Sequence, residues 1–121
     1  ILPLWLAPTQ VRVIPVSDKF VKQARSIADS LEKSRIRTDL DDRPLTMQKK
    51  VREAETEWIN HVVVIGQKEI DSGILPVRDR KLGKIRNIKL EALTNEIRKN
   101  TAGRPFEKLS LPRDMSKRPQ F

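Results

Sequence analysis

A glutamate and a pair of arginines define the most specific chemistry available to this chain. Glu69 lies in the segment Gly66 to Gly73, and Arg78 and Arg80 follow on the next extended stretch, all within fifteen residues. Side chains alternate along a strand, so Arg78 and Arg80 should share one face. A carboxylate such as Glu69 accepts hydrogen bonds from the amino and imino edge of a nucleobase. An arginine donates in fork geometry to base carbonyls or ring nitrogens. Phosphate binding needs only cations, whereas reading base edges needs acid and base together. Lys81 and Lys84 follow directly and could supply the phosphate contacts. From spacing alone, a solvated hairpin with ordinary ion pairs is the first reading, and base-edge recognition is the sharper one.

Other constellations point less far. Asp39, Asp41 and Asp42 follow a strand, where α/β enzymes often hold a metal or begin a phosphoryl transfer. That chemistry usually needs phosphate-binding loops alongside, and the chain has 4 glycines with no Gly-rich loop. A polar turn whose carboxylates pair with Arg43 and favour the next helix start is the better reading. His61 has no second histidine and no convincing nucleophile motif beside it, so a hydrogen-bonded strand-edge residue is expected. With no cysteine, disulfides, thiol catalysis and Cys/His zinc sites are excluded. Trp58 closes an apolar helical stripe and is expected to pack. Trp5 should dock on this domain or a neighbouring one. Few aromatics and no tyrosine argue against a stacking-platform RNA binder of the usual sheet type.

The charge agrees with a polyanionic partner. Lys and Arg number 25 against 16 Asp and Glu, a net of +9 over 121 residues. Residues 76–89 carry six basic residues against Asp79 alone, and residues 98–121 carry seven against Glu107 and Asp114. The remaining 12 basic and 13 acidic residues nearly cancel. An ordinary solubilising surface would interleave the signs. The longest aliphatic run, Val62 to Ile65, is too short to span a bilayer. The start lacks both a secretory signal and an initiator Met, and the chain is expected to be a piece of a longer protein.

The elements that must position these residues follow from local patterning. Residues 1–8 read as an extended, Pro-punctuated lead-in, and Gln10 to Ile14 as a strand stopped by Pro15. A helix capped by Ser17 or Asp18 runs to about Ser34 on the stripe Phe20, Val21, Ala24, Ile27, Ala28 and Leu31. Arg35 to Leu40 is a second strand. A second helix from Thr46 has Met47, Val51, Ala54 and Trp58 on one face, with Lys49, Lys50 and Arg52 largely outside it. Val62 to Ile65 reads as a central strand covered on both faces. Ile74 to Arg80 and Ile85 to Ile88 form a hairpin. A last helix carries Leu90, Leu93 and Ile97 and ends near Gly103, followed by an extended, basic, Pro-containing tail. The order β-α-β-α-β-β-β-α calls for a mixed sheet with helices on its faces.

Several motifs, in matching order from residue 4 to about 101, carry a resemblance. These are Trp5 to Val11, the turn Asp41 to Arg43, Lys50 to Ala54, Val62 to Glu69, Ser72-Gly73 and Val77-Arg78. Together they resemble the C-terminal anticodon-binding domain of class IIa aminoacyl-tRNA synthetases. The tryptophan lead-in, the Gly-x-Lys-Glu-x-x-Ser-Gly stretch and the following Val-Arg look like the threonine-specific branch. Glu57-Trp58 and the ending Met115 to Phe121 look like its archaeal form.

The resemblance implies a three-layer α/β/α fold with a five-stranded mixed sheet of order 2-1-3-4-5, strand 4 antiparallel. It implies an anticodon-binding domain over 9–103, a lead-in over 1–8 from a missing catalytic domain, and a tail over 104–121. It implies binding of the threonine tRNA anticodon loop, with Glu69 and Arg78 at base-reading positions and Arg43 in the loop before helix two. Pro44 stands where bacterial members often carry Asn. Arg80, Lys81 and Lys84 would supply cations around the loop. Catalysis, with its ATP, magnesium and zinc, would belong to the full-length ligase. The fragment itself would need no cofactor and be inactive alone. A cytoplasmic location and a homodimer built by the catalytic domain are implied as well. The alternative is an accessory or protein-interaction module that kept the fold without base reading.

Overall fold

The computed structural model describes residues 4–80, 83–104, 109 and 111–119, with only the backbone of Trp5. Five strands form one sheet in the order β2-β1-β3-β4-β5. These are β1 (Val11–Pro15), β2 (Thr38–Leu40), β3 (His61–Ile65), β4 (Ile74–Asp79) and β5 (Lys84–Lys89). Strand β1 pairs in parallel with β2 and β3, β4 runs antiparallel to β3, and β5 runs antiparallel to β4. The expected strand order and the single reversed strand are both present. Four helices connect or follow the strands: α1 (Val21–Lys33), α2 (Met47–Thr56), α3 (Gln67–Ser72) and α4 (Leu90–Thr101).

Strand β3 is central and β-branched because both its faces are covered. On one face Val63 and Ile65 join Val11, Val13, Leu40 and Val77 beneath Ala24, Ala28 and Leu31 of α1 and Leu93 and Ile97 of α4. On the other, Ile14 and Val62 meet Val51 and Ala54 of α2, together with Ile59. Each fully buried Ile, Leu or Val in these layers contributes about 1.5–3 kcal/mol. Arg12, itself on β1, is 1% exposed and directly opposite Asp39, which is 0% exposed, in the β1–β2 register. Its Nε and Nη2 each donate to Asp39 at 2.9 Å, and Nη1 donates to Glu57 at 2.6 Å. Burial alone would lower the Arg12 pKa, but these two carboxylates raise it, so the guanidinium stays charged inside the fold.

Four expectations are corrected. The expected order has no helix between the third and fourth strands, yet the short helix α3 lies there, between extended Gly66 and Gly73 at φ +72°. The lead-in makes a 3-10 turn at Leu4–Leu6, and Leu4 packs on the α1/α4 core. Lys50 does not lie outside the α2 stripe. It is buried, and its Nζ donates to the Asp41 carbonyl at 2.9 Å. Where it is described, the tail is docked rather than simply extended. Asp114 bridges in parallel to Leu40, the Leu40 N–H donates to the Arg113 carbonyl at 3.0 Å, and Met115 is buried.

Candidate nucleic-acid interface

Strands β4 and β5 emerge from under α2, so one face of their hairpin is open. Leu75, Val77 and Asp79 of β4 are buried toward the α4 side, while Ile74, Pro76 and Arg78 alternate with them on the other face. In register, Arg78 lies between Val62 of β3 and Ile85 of β5. Ile74 is 43% and Ile85 51% exposed, so no described element covers this face.

At one end of the face, a cleft of about 340 Å³ opens between the end of α2 and β5. Ile59 and Val62 form its apolar part, with Trp58, Arg78, Arg80 and Lys84 around them. Arg78 is half-buried, yet no described residue gives its side chain a hydrogen bond or ion pair. Lys84 is exposed and equally unpaired among the described residues. Arg80 is held in place. Its Nη1 donates to the Glu55 carbonyl at 2.8 Å, and its guanidinium carbon lies 3.8 Å from the centre of the Trp58 ring. Lys81 lies outside the described residues.

Glu69 lies on α3, just before β4 begins. It is the third residue of α3, and its Oε1 accepts from the Gly66 N–H at 2.9 Å, which satisfies one free donor of that helix start. The second carboxylate oxygen is left available. A Cβ on residue 66 would stand 3.2 Å from this Oε1 and 3.0 Å from Val16 Cγ2, so glycine is what lets the carboxylate reach back. From Ile74, just after α3, to Arg78 is about 13 Å of strand. Glu69 and Arg78 are therefore separated by most of the length of β4, and neither is fully buried.

Arg43 is placed differently from the cleft residues. Its Nε and Nη2 donate to Asp41 at 2.9 and 2.8 Å, and Nη2 also reaches Glu53. The hydrogen bond to Asp41 is the main reason its pKa is raised. Burial pushes the Asp41 carboxyl up, but Arg43 more than offsets this and holds it below its usual value. The three aspartates do not converge on a metal. Asp39 takes Arg12 and Arg118, Asp41 takes Arg43, and Asp42 takes the Ser116 N–H and hydroxyl. Of the polar-turn reading, the Asp41–Arg43 pair is present, while Asp39 and Asp42 are held by distant partners and Thr46 caps the next helix.

Among the described residues, one group has ligand atoms close enough for a metal: His61, Asp79 and Glu96. Arg86 already stands there as the cation, 3.1 Å from Asp79 and 2.8 Å from Glu96. His61 is buried at 3.5 Å from Asp79, and desolvation lowers its pKa despite that carboxylate. The cluster is a structural ion network beneath α4.

Trp58 is the residue whose position the sequence misleads on. It is 56% exposed and belongs to neither core cluster. Helix α2 ends at Thr56, two residues before the indole, so the stripe does not extend to it.

The anticodon binding domain family matches residues 10–100. The chain belongs to that family. It is 49% identical over 99% of its length to a threonine–tRNA ligase of Pyrococcus horikoshii, and 51% identical over 98% to that of Pyrobaculum aerophilum. A threonine–tRNA ligase of Nitrosopumilus maritimus is 44% identical over 99% of the chain. In each case the chain spans about 19% of the relative's length. Its structure superposes on the RNA binding domain of threonyl-tRNA synthetase from Cryptosporidium parvum with a TM-score of 0.76 and 27% identity. That match covers 88% of this chain and 26% of the other. These relatives favour the anticodon-binding reading over an accessory module. Among the described residues no helix is long and apolar enough to cross a membrane.

Proposed function

We propose that the open β4–β5 face holds the anticodon loop of threonine tRNA, as one part of a threonine–tRNA ligase whose catalytic domain precedes it. ATP-dependent aminoacylation belongs to that other domain, in the cytoplasm. Binding here orients the distant acceptor end. Glu69 and Arg78 read base edges, while Lys84 and Lys81 hold the phosphates that position the loop. Arg43 acts at one remove, by fixing the turn before α2 through Asp41 and Glu53.

The observation that carries this is Arg78. Its guanidinium reaches solvent in the cleft with no described residue holding it, so its donors are free for a ligand. On this face, in this family, the ligand that fits is an unstacked base. Arg78→Ala should weaken binding of the threonine tRNA anticodon stem–loop by roughly 5- to 100-fold, the span of one base-reading pair. A stem–loop with unrelated anticodon bases should lose far less. Filter binding of both RNAs decides it, and equal losses would reduce Arg78 to a phosphate contact.

A further inference from the structure

We infer that Trp58 and Arg80 form a stacking subsite for one unpaired nucleobase flanking those read by Glu69 and Arg78. This inference rests on the anticodon-loop reading and adds to it a contact that discriminates little between bases.

The first observation is conformational. Helix α2 closes with a Schellman motif, in which Ile59 N–H donates to the Ala54 carbonyl at 3.1 Å and Trp58 N–H to the Glu55 carbonyl at 3.2 Å. Residue 58 takes the left-handed position of that motif, φ +62°, which glycine usually fills. A tryptophan there is strained, and being exposed it recovers little by burial. Apart from the Arg80 guanidinium, no described aromatic or cationic group meets the ring, so much of its surface stays open to a ligand.

The second observation is preorganisation. The Arg80 guanidinium lies over the indole at 3.8 Å and is tethered to the end of α2 through the Glu55 carbonyl. Two flat, polarisable groups are thus fixed before any ligand arrives, so little ordering cost remains. The third is charge. The adjoining cleft carries Arg78, Arg80 and Lys84, whereas Asp79 at its edge is committed to Arg86. An apolar protein side chain would have to enter beside Arg78 and Lys84, which no described residue pairs. A nucleotide brings a π-face for the ring and a phosphate for Lys84.

The test uses the 121-residue chain and a threonine tRNA anticodon stem–loop in which single nucleotides beside the anticodon are made abasic in turn. Trp58→Ala should weaken the intact loop about 5- to 100-fold, the range for one base on an aromatic ring. Trp58→Phe should keep most of the affinity. Trp58→Gly should bind as poorly as the alanine variant while melting no lower than wild type, because it removes the strain. At one abasic position, wild-type affinity should fall and the Trp58→Ala loss should vanish. The inference is overturned if Trp58→Ala and Trp58→Gly bind every loop like wild type. It is equally overturned if their loss is the same wherever the abasic nucleotide is placed. Arg78→Ala, run alongside, separates the two levels. If it discriminates anticodons while Trp58 variants do nothing, only the stacking subsite falls. If neither variant changes binding, the anticodon-loop reading falls and takes the subsite with it.

Discussion

Glu69 is aimed by the backbone of its own helix, so the quality of its aim depends on residue 66. The Gly66 N–H holds Oε1 at 2.9 Å only because no Cβ intervenes. Gly66→Ala puts a methyl 3.0 Å from Val16 Cγ2 and 3.2 Å from that oxygen, and both must give way. We expect a stability loss of about 1–2 kcal/mol in urea unfolding. We also expect lost discrimination at the base Glu69 reads, measured with stem–loops differing at one anticodon base. Unchanged discrimination with the same stability loss would remove Glu69 from base reading. That Arg78 lies on β4 was legible in the sequence because alternation is local, whereas base reading by Glu69 and Arg78 rests on the family motif rather than on spacing. The settings of Lys50 and Trp58 were not legible. Lys50 sits three residues after Met47 on the helical stripe, but its charge argued for solvent, and the carbonyl that receives it lies nine residues back in another loop. Trp58 stands four after Ala54, a spacing that implies packing only while the helix continues, and the helix stops first.

Elements with a period were readable, and elements fixed by caps or distant partners were not. Helix α3 has six residues, fewer than two turns, and none of them is buried. Its cues are one capping carboxylate and a left-handed glycine, which a search for apolar stripes passes over. The tail is the larger case. Arg113 bonds Asp29 and Glu32 of α1, Arg118 reaches Asp39 at 3.1 Å, and Ser116 caps the Asp42 carboxylate. Each contact joins residues more than seventy positions apart, so no local pattern announces it. Together they pair and cover the outer edge of β2, which would otherwise present free backbone groups. Removal of residues 104–121 should therefore cost about 2–4 kcal/mol, from the burial of Met115 and the partners lost to Asp39 and Leu40. A urea titration of the shortened chain reads this directly. An unchanged midpoint would make the tail a passenger.

At the scale of the molecule, the net charge matters less than which cations remain unspent. Two basic regions look alike in the sequence, yet they do different work. In the tail, Arg113 and Arg118 are neutralised by acids of α1 and β2, and Arg104 also has a partner. In the hairpin, Arg86 is used internally, but Arg78 and Lys84 are left without described partners beside an uncovered face. Counterion release counts only cations that reach phosphates, so the salt dependence of RNA binding should separate the regions. Lys84→Ala should flatten the slope of log K against log salt by roughly 0.7, one single-strand phosphate contact. Arg113→Ala should leave the slope unchanged and lower the melting temperature instead, since it strips a partner from Asp29, Glu32 and Asp114. The reverse pattern would move the RNA to the β2 edge. That outcome is hard to reconcile with the geometry, because there Arg113 and Arg118 already hold carboxylates, whereas the hairpin face offers cations beside an apolar floor.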